Sequence, residues 1–159
     1  MEVFKRNDMK KIKLTRGKYA LADRENYEAL SNYHWWFDGR YAVTDKMIKR
    51  KRNKTYMHRL LWGNPKNRID HINGDKLDNR IKNLRVCTQS ENLANSAKKS
   101  TSTNKYKGVC RNKDKWIARI TCKYKKYHLG LFKTQKEAAK RYNEEAIKLF
   151  GEFARLNKI

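Results

Sequence analysis

The sequence predicts an α+β protein built from small modules, and three observations predict it. Short apolar runs bounded by Asn, Asp and Gly turn signals recur through the N-terminal half. Two capping boxes, Thr88-Gln89-Ser90-Glu91 and Thr134-Gln135-Lys136-Glu137, each open a helix, because hydroxyl and carboxylate satisfy each other's backbone donors. Trp116, Ala118, Ile120 and Cys122 fall on one face and Arg119, Thr121 and Lys123 on the other, the period of a half-exposed strand. The modules expected are a strand-rich region over 1–55, a ββα unit over 56–97, a linker over 98–105, and a three-stranded antiparallel sheet with one helix over 106–159.

In the first module Ile12–Leu14 and Tyr19–Leu21 read as strands, and Asp23 as the N-cap of a helix running to about Leu30. His34–Phe37 and Arg40–Val43 flank Asp38-Gly39, which predicts a hairpin closed by a tight primed turn. The basic run from Lys46 to Lys54, with Arg50 and Arg52, reads as a phosphate-facing loop or an import signal. Tyr56–Trp62 is the next apolar segment. Ile69–Ile72 and Leu84–Cys87 are strand candidates separated by the Asn73-Gly74 turn and a polar loop holding Asn79, Arg80 and Asn83. Residues 97–105 are polar and aperiodic, hence the linker. In the last module strands are expected over Tyr106–Arg111, Trp116–Lys123 and Lys126–Phe132. Behind the second capping box Ala139, Tyr142, Ala146, Leu149 and Phe150 recur at helical spacing until Gly151. One sheet face should pack on that helix, leaving a basic face, with Arg119 and Lys123, open.

Charge narrows the partners. The 159 residues carry 40 Lys+Arg against 16 Asp+Glu, a formal +24, and only 38% are apolar. Such a chain repels itself unless a polyanion neutralises it, and nucleic acid is the default polyanion. No apolar run approaches the roughly 18–20 residues of a transmembrane span, and no long amphipathic basic helix suggests a membrane surface. Met1–Arg6 is followed by no apolar stretch, so an intracellular, non-secreted protein is expected. Cys87, Cys110 and Cys122 form no C-x-x-C pair and read as small buried residues in a reducing compartment.

The chemistry concentrates in Asp70-His71, Asn83 and Asn92. One carboxylate and one amide oxygen suit a hard cation such as Mg²⁺, which keeps water ligands for a substrate phosphate. A neighbouring imidazole, neutral at pH 7 and more so beside positive charge, suits a base that deprotonates water. The run Asp70-His71-Ile72-Asn73-Gly74-Asp75-Lys76-Leu77-Asp78-Asn79-Arg80-Ile81-Lys82-Asn83-Leu84-Arg85-Val86-Cys87-Thr88-Gln89-Ser90-Glu91-Asn92 closely resembles the HNH endonuclease motif, in the branch of phage and intron-borne homing endonucleases. The resemblance implies that His71 is the general base, that Asp70 and Asn92 are ligands of Mg²⁺ or another divalent cation, and that Asn83 steadies the histidine loop. Met57-His58-Arg59-Leu60-Leu61 resembles a segment that precedes the motif in these enzymes; His58 reads as a structural histidine, buried or near DNA.

The last module resembles an AP2 DNA-binding domain at Tyr106-Lys107-Gly108-Val109, Trp116–Ile120, Leu129–Phe132, Glu137–Ala139 and Tyr142-Asn143. The resemblance implies a sheet docked in the major groove of double-stranded DNA. Plant members carry arginine at the position of Cys110 and tryptophan at that of His128, and they have one residue more near Asn112–Lys115, so their target sequence does not carry over. The expected DNA contacts are Lys107, Arg111, Arg119, Lys123, Lys126 and His128, with Arg50 and Arg52 from the basic run. Three readings follow: a metal-dependent, site-preferring endonuclease acting as a monomer, a transcription-factor-like binder with a dead nuclease unit, and an RNA-binding protein. The intact motif weighs against the second, and the absence of any RNA module against the third.

Overall fold

The computed structural model describes residues 9–48, 51–98 and 104–159, and among them it holds four small sheets and four α-helices. No helix among the described residues is long and apolar enough to cross a membrane. Two compact units divide the chain, residues 1–86 and 87–159.

In the first unit β1 (Met9–Lys13) pairs antiparallel with β2 (Tyr19–Asp23), in a register that sets Ile12 opposite Ala20. Ile12, Leu14, Ala20 and Ala22 are buried with Leu30 of α1 (Arg24–Ser31), Trp35 and Met57. The indole Nε1 of Trp35 donates to the Leu30 carbonyl at 2.7 Å, which closes the end of α1 against the chain that follows. Asp23 occupies the N-cap position as expected, yet its side chain makes no cap bond. Its Oδ2 instead accepts the backbone N–H of Ile81 at 2.7 Å, joining this first hairpin to the loop of the motif.

The next hairpin forms where Asp-Gly foretold it, with a different turn. Phe37 of β3 (Trp36–Phe37) pairs with Ala42 of β4 (Ala42–Ile48), leaving residues 38–41 as the loop. Gly39 takes φ 100°, while Asp38 works through its side chain: Oδ1 accepts the N–H of Arg40 at 2.9 Å and of Tyr41 at 2.8 Å. The Asp38 N–H still donates to the Tyr41 carbonyl at 3.2 Å, and the carboxylate takes the Tyr41 N–H that a two-residue primed turn would have given to the Asp38 carbonyl. The basic run expected as a loop belongs to strands: β4 pairs with β5 (Lys51–Tyr56), with Ile48 opposite Lys51. Arg52 lies exposed on β5. Arg50 lies outside the described residues.

After α2 (Met57–Leu61) the motif begins. β6 (Arg68–His71) and β7 (Leu84–Cys87) form a two-stranded sheet, and the intervening loop ends in a 3₁₀ turn over Ile81–Asn83.

In the second unit α3 (Gln89–Asn95) starts with both reciprocal bonds of the Thr88–Glu91 capping box. β8 (Val109–Asn112), β9 (Lys115–Cys122) and β10 (Lys125–Phe132) form an antiparallel sheet with β9 central, backed by α4 (Gln135–Phe150), whose Thr134–Glu137 capping box is also complete. Ala94 of α3 is buried with Ile120, Tyr142, Ala146 and Phe150. The boundary between compact units therefore falls at the end of β7, and α3 packs with the C-terminal sheet and helix. Of the polar stretch read as a linker, 99–103 lie outside the described residues. Gly108 is required by close approach: at φ 73°, an added Cβ would stand 2.1 Å from the Tyr142 ring and 2.7 Å from the Arg119 carbonyl oxygen.

Candidate active site

Asp70 and His71 end β6, and both are buried, at 1% and 0% exposure. Adjacent strand residues point to opposite faces, but the strand stops at His71, whose carbonyl accepts the N–H of Gly74 at 2.9 Å as the Asn73-Gly74 turn begins. The Asp70 carboxylate meets two cations. Oδ2 accepts from the Arg85 guanidinium of β7, Nη2 at 3.2 Å, and Lys76 Nζ stands 3.9 Å from Oδ1.

His71 is held from both sides. Its Nε2 lies 3.3 Å from Asn79 Oδ1, and the Asn79 Nδ2 donates to the Leu77 carbonyl at 3.2 Å. With the amide nitrogen engaged there, Asn79 presents an acceptor to the ring, so the imidazole proton sits on Nε2 and the Nδ1 lone pair is left for proton uptake. Asn79 is itself fixed by β2: its N–H donates to the Leu21 carbonyl at 2.8 Å, and the Leu21 N–H donates to Leu77 at 2.8 Å. On the other side the ring of His58 meets His71 edge-on with centroids 5.0 Å apart, and Tyr41 and Tyr56 pack on His58 at 5.2 and 5.6 Å. The strand-rich N-terminal module thus supplies Tyr41 to the aromatic wall and, through Leu21, the backbone bonds that fix Asn79 beside the motif histidine.

Burial pushes the His71 pKa down to about 4, helped by Lys76, and that of His58 down to about 3, helped by His71, Arg59 and Lys76. Both rings are therefore neutral at pH 7. Because an unfolded histidine titrates near ~6.5, stability present at neutral pH is lost as pH falls through the window from ~6.5 toward the folded values. His58→Phe should flatten that acid-side loss, since His58 Nδ1 is buried and has no hydrogen-bond partner among the described residues. Thermal melts of both proteins between pH 7 and pH 4 check this; parallel curves would exclude a titrating His58.

Asn83 closes the loop. Its Oδ1 accepts the Asn73 N–H at 3.0 Å, its Nδ2 donates to the Asp78 carbonyl at 2.8 Å, and its own carbonyl accepts the Ile72 N–H at 2.8 Å. Asp78, 2% exposed, forks onto Arg80 at 2.7 and 2.6 Å and accepts from Asn73 Nδ2 at 2.9 Å. Sequence reasoning placed Asn83 but missed Asn79, Asp78 and Arg85. The signal for Asn79 and Asp78 was the run Asp78-Asn79-Arg80, three strongly hydrogen-bonding residues inside a loop between two short strands, whereas Arg85 lies on β7. Asn92 belongs to the other unit, one turn into α3, where its N–H donates to the Thr88 carbonyl at 3.0 Å.

The expected DNA contacts in the second unit separate by position. Arg119 and Thr121 on β9 are exposed, and their β10 partners are His128 and Lys126, so these four share one open face. Lys123 leaves that face: it forms the β9–β10 turn with Tyr124, still exposed. Arg111 pairs opposite Trp116 and lies over its ring at 5.8 Å, on the side that carries Val109 and Ala118 rather than the open side. Lys107 serves the fold. Its ammonium donates to the carbonyls of Leu93, at 3.2 Å, Ala94, and Ser96, at 2.9 Å, at the end of α3. Burial, with Arg155 nearby, lowers its pKa to about 8. Lys107→Met should therefore destabilise the second unit by about 1–3 kcal/mol and leave the salt dependence of DNA binding unchanged. Urea unfolding and binding titrations separate these outcomes.

A β-turn-β segment with a buried neutral histidine beside a carboxylate, followed by a capped helix in sequence, defines the nuclease class. A family profile described as HNH endonuclease matches residues 55–94, and the chain is 32% identical over 148 residues to an uncharacterized HNH endonuclease of Acanthamoeba polyphaga mimivirus. That alignment covers 91% of this chain and 77% of the viral relative. This chain belongs to the HNH endonuclease family. No solved structure matches it.

A divalent cation is implied by the family, and the donor chemistry fits. Among the described residues no three His, Cys, Asp or Glu side chains cluster; Mg²⁺ commonly takes only one or two carboxylates and keeps its waters. Asp70 offers a hard oxygen beside the base. Lys76 lies beyond hydrogen-bond distance of Oδ1, so a metal at that oxygen would replace one positive charge with another.

Proposed function

We propose that this protein is a metal-dependent DNA endonuclease of the homing type, with a ββα-metal nuclease motif and an AP2-like C-terminal DNA-binding module. The observation that carries the reading is His71: buried, neutral, braced by Asn79, and adjacent to Asp70. Asp70 and Asn92 would hold Mg²⁺ or another divalent cation, and Asn83 fixes the loop that carries the base. When bound, the cation supplies charge neutralisation at the scissile phosphate and the departing 3′ oxygen. His71 Nδ1 takes the proton of a water that attacks phosphorus in line. The P–O3′ bond breaks with its electron pair on oxygen, which takes a proton from solvent water, leaving 5′-phosphate and 3′-hydroxyl ends. As the ring has no exposed surface in this structure, the catalytic state must admit one water to Nδ1.

Affinity comes from the cations of the open sheet face, from Arg52 of β5 and from Arg50 of the basic run. One active site per chain makes a monomer that nicks one strand, inside the host cell. Supercoiled plasmid incubated with Mg²⁺ should relax, and EDTA should prevent it. A gel shift without relaxation at any divalent metal would overturn the nuclease assignment and leave a binder. Replacing Arg119, Lys123 and Lys126 together by Ala should reduce the salt slope of binding by roughly 2–3. A variant with unchanged slope would remove the sheet face and its turn from the DNA interface.

A further inference from the structure

The C-terminal unit holds a cavity of about 420 Å³ beside the β9–β10 turn, walled by α3, α4 and β9. Its buried lining is apolar, with Ile120 and Phe150, and its exposed lining includes Leu93, Arg119, Lys123 and Lys126. Gln89 also lines it, and the Gln89 Oε1 is buried with no hydrogen-bond partner among the described residues. A buried amide oxygen without a donor loses a bond it would have made to water. It marks a place for a ligand N–H.

The turn above the cavity is unusual for its residues. Two-residue hairpin turns with positive φ at both positions favour Asn and Gly, yet Lys123 and Tyr124 adopt φ 47° and 65°. The strain is held by an anchor, the Lys123 N–H donating to Ser90 Oγ of α3 at 3.1 Å. What the turn gains is display. Tyr124 is 87% exposed at the cavity mouth between two lysines. Strain retained at an exposed aromatic points to a contact made by that side chain.

We infer that this cavity binds one unstacked nucleotide. The base lies against the Tyr124 ring with an N–H toward the Gln89 oxygen, and the phosphate lies among Arg119, Lys123 and Lys126. A bare phosphate would leave the aromatic, the amide and most of the volume unused; an apolar ligand would leave the three cations unused. The inference rests on the proposal that this unit binds DNA, which would supply the nucleotide from a distorted duplex. A free nucleotide presents the same chemistry.

The test uses the full chain in EDTA, so that nothing is cut, with two duplexes of one sequence. One is fully paired and the other carries a single extra 2-aminopurine. Wild type should prefer the bulged duplex about 5- to 100-fold, the usual worth of one base stacked on an aromatic, and should quench the 2-aminopurine. Tyr124→Ala should lose both effects and Tyr124→Trp should keep them. Tyr124→Gly relieves the strained φ, so it should melt higher than wild type while losing the preference, which separates binding from folding. Millimolar dAMP should not displace the bulged duplex if DNA supplies the nucleotide. Saturable dAMP binding abolished by Tyr124→Ala, without a bulge preference, would assign the pocket to free nucleotides. Equal wild-type affinity for both duplexes with no dAMP binding overturns the pocket and spares the DNA-binding reading. Failure to bind either duplex overturns both.

Discussion

His71→Ala should bind DNA as the parent chain does and cut it roughly 10²–10⁴-fold more slowly, the usual worth of a positioned general base. The geometry makes the effect specific. Asn79 holds the imidazole in one tautomer through a 3.3 Å contact to Nε2, so no other atom of the ring is needed for proton uptake. Removing a ring with no exposed surface also opens a void against His58. His71→Gln, which fills most of that volume, should therefore lose activity to a similar extent while melting closer to wild type. Asn79→Ala should fall between wild type and His71→Ala, because the base survives and its orientation is lost. Measured cleavage within a factor of about three of wild type in His71→Ala would assign proton transfer to another group.

The parts of this fold that were legible from the sequence are those set by local rules. Alternation from Trp116 to Cys122 became β9, with Ala118 and Ile120 buried and Arg119 and Thr121 exposed. Both capping boxes formed with both reciprocal bonds, because a four-residue motif contains all the atoms it needs. Asp70-His71 could be placed at the end of a strand because the Asn73-Gly74 turn sits two residues on. Legibility ended where a side chain reached a distant partner. Asp23 sits where an N-cap belongs but serves Ile81, 58 residues away. Lys107 looked like a basic contact for DNA, and its ammonium instead meets carbonyls eleven to fourteen residues earlier, at the end of α3. Charge alone does not distinguish a lysine facing phosphate from one facing carbonyls, since both environments are negative. Arg111 was expected to meet DNA, and strand register sets it opposite Trp116, on the side of Val109 and Ala118.

The same reasoning explains why the N-terminal module resisted a functional reading. Its residues carry no motif, yet β2 meets the motif loop through three bonds, at Leu77, Asn79 and Ile81. Tyr41 and Tyr56 then back His58 against His71. The two bonds made by Leu21 leave no side-chain signature, because the backbone atoms they use are common to every residue; the third uses the Asp23 carboxylate, at a position that reads as an N-cap.

Asp78→Ala should be the most disruptive substitution outside the reacting groups, costing about 2–4 kcal/mol and most of the cleavage activity. Burial alone would push this carboxyl up, but the Arg80 guanidinium and the Asn73 amide hold it below the usual carboxylate range. It is therefore charged at neutral pH. Removing it leaves Arg80 without its forked partner and Asn73 Nδ2 without its acceptor, at a site 2% exposed. Breaking one partner of a buried pair costs more than the pair contributes, tempered here because Arg80 is 26% exposed. The loss of cutting follows from position, not chemistry: Asp78 touches no reacting atom, but its carbonyl takes the Asn83 amide and its neighbour Asn79 orients His71. The double variant Asp78→Ala with Arg80→Met should recover part of the stability, since no uncompensated charge remains. Urea unfolding of the two variants gives the energy and plasmid nicking gives the consequence. A single variant with wild-type unfolding and wild-type nicking would mean that the loop holds His71 without its buried carboxylate.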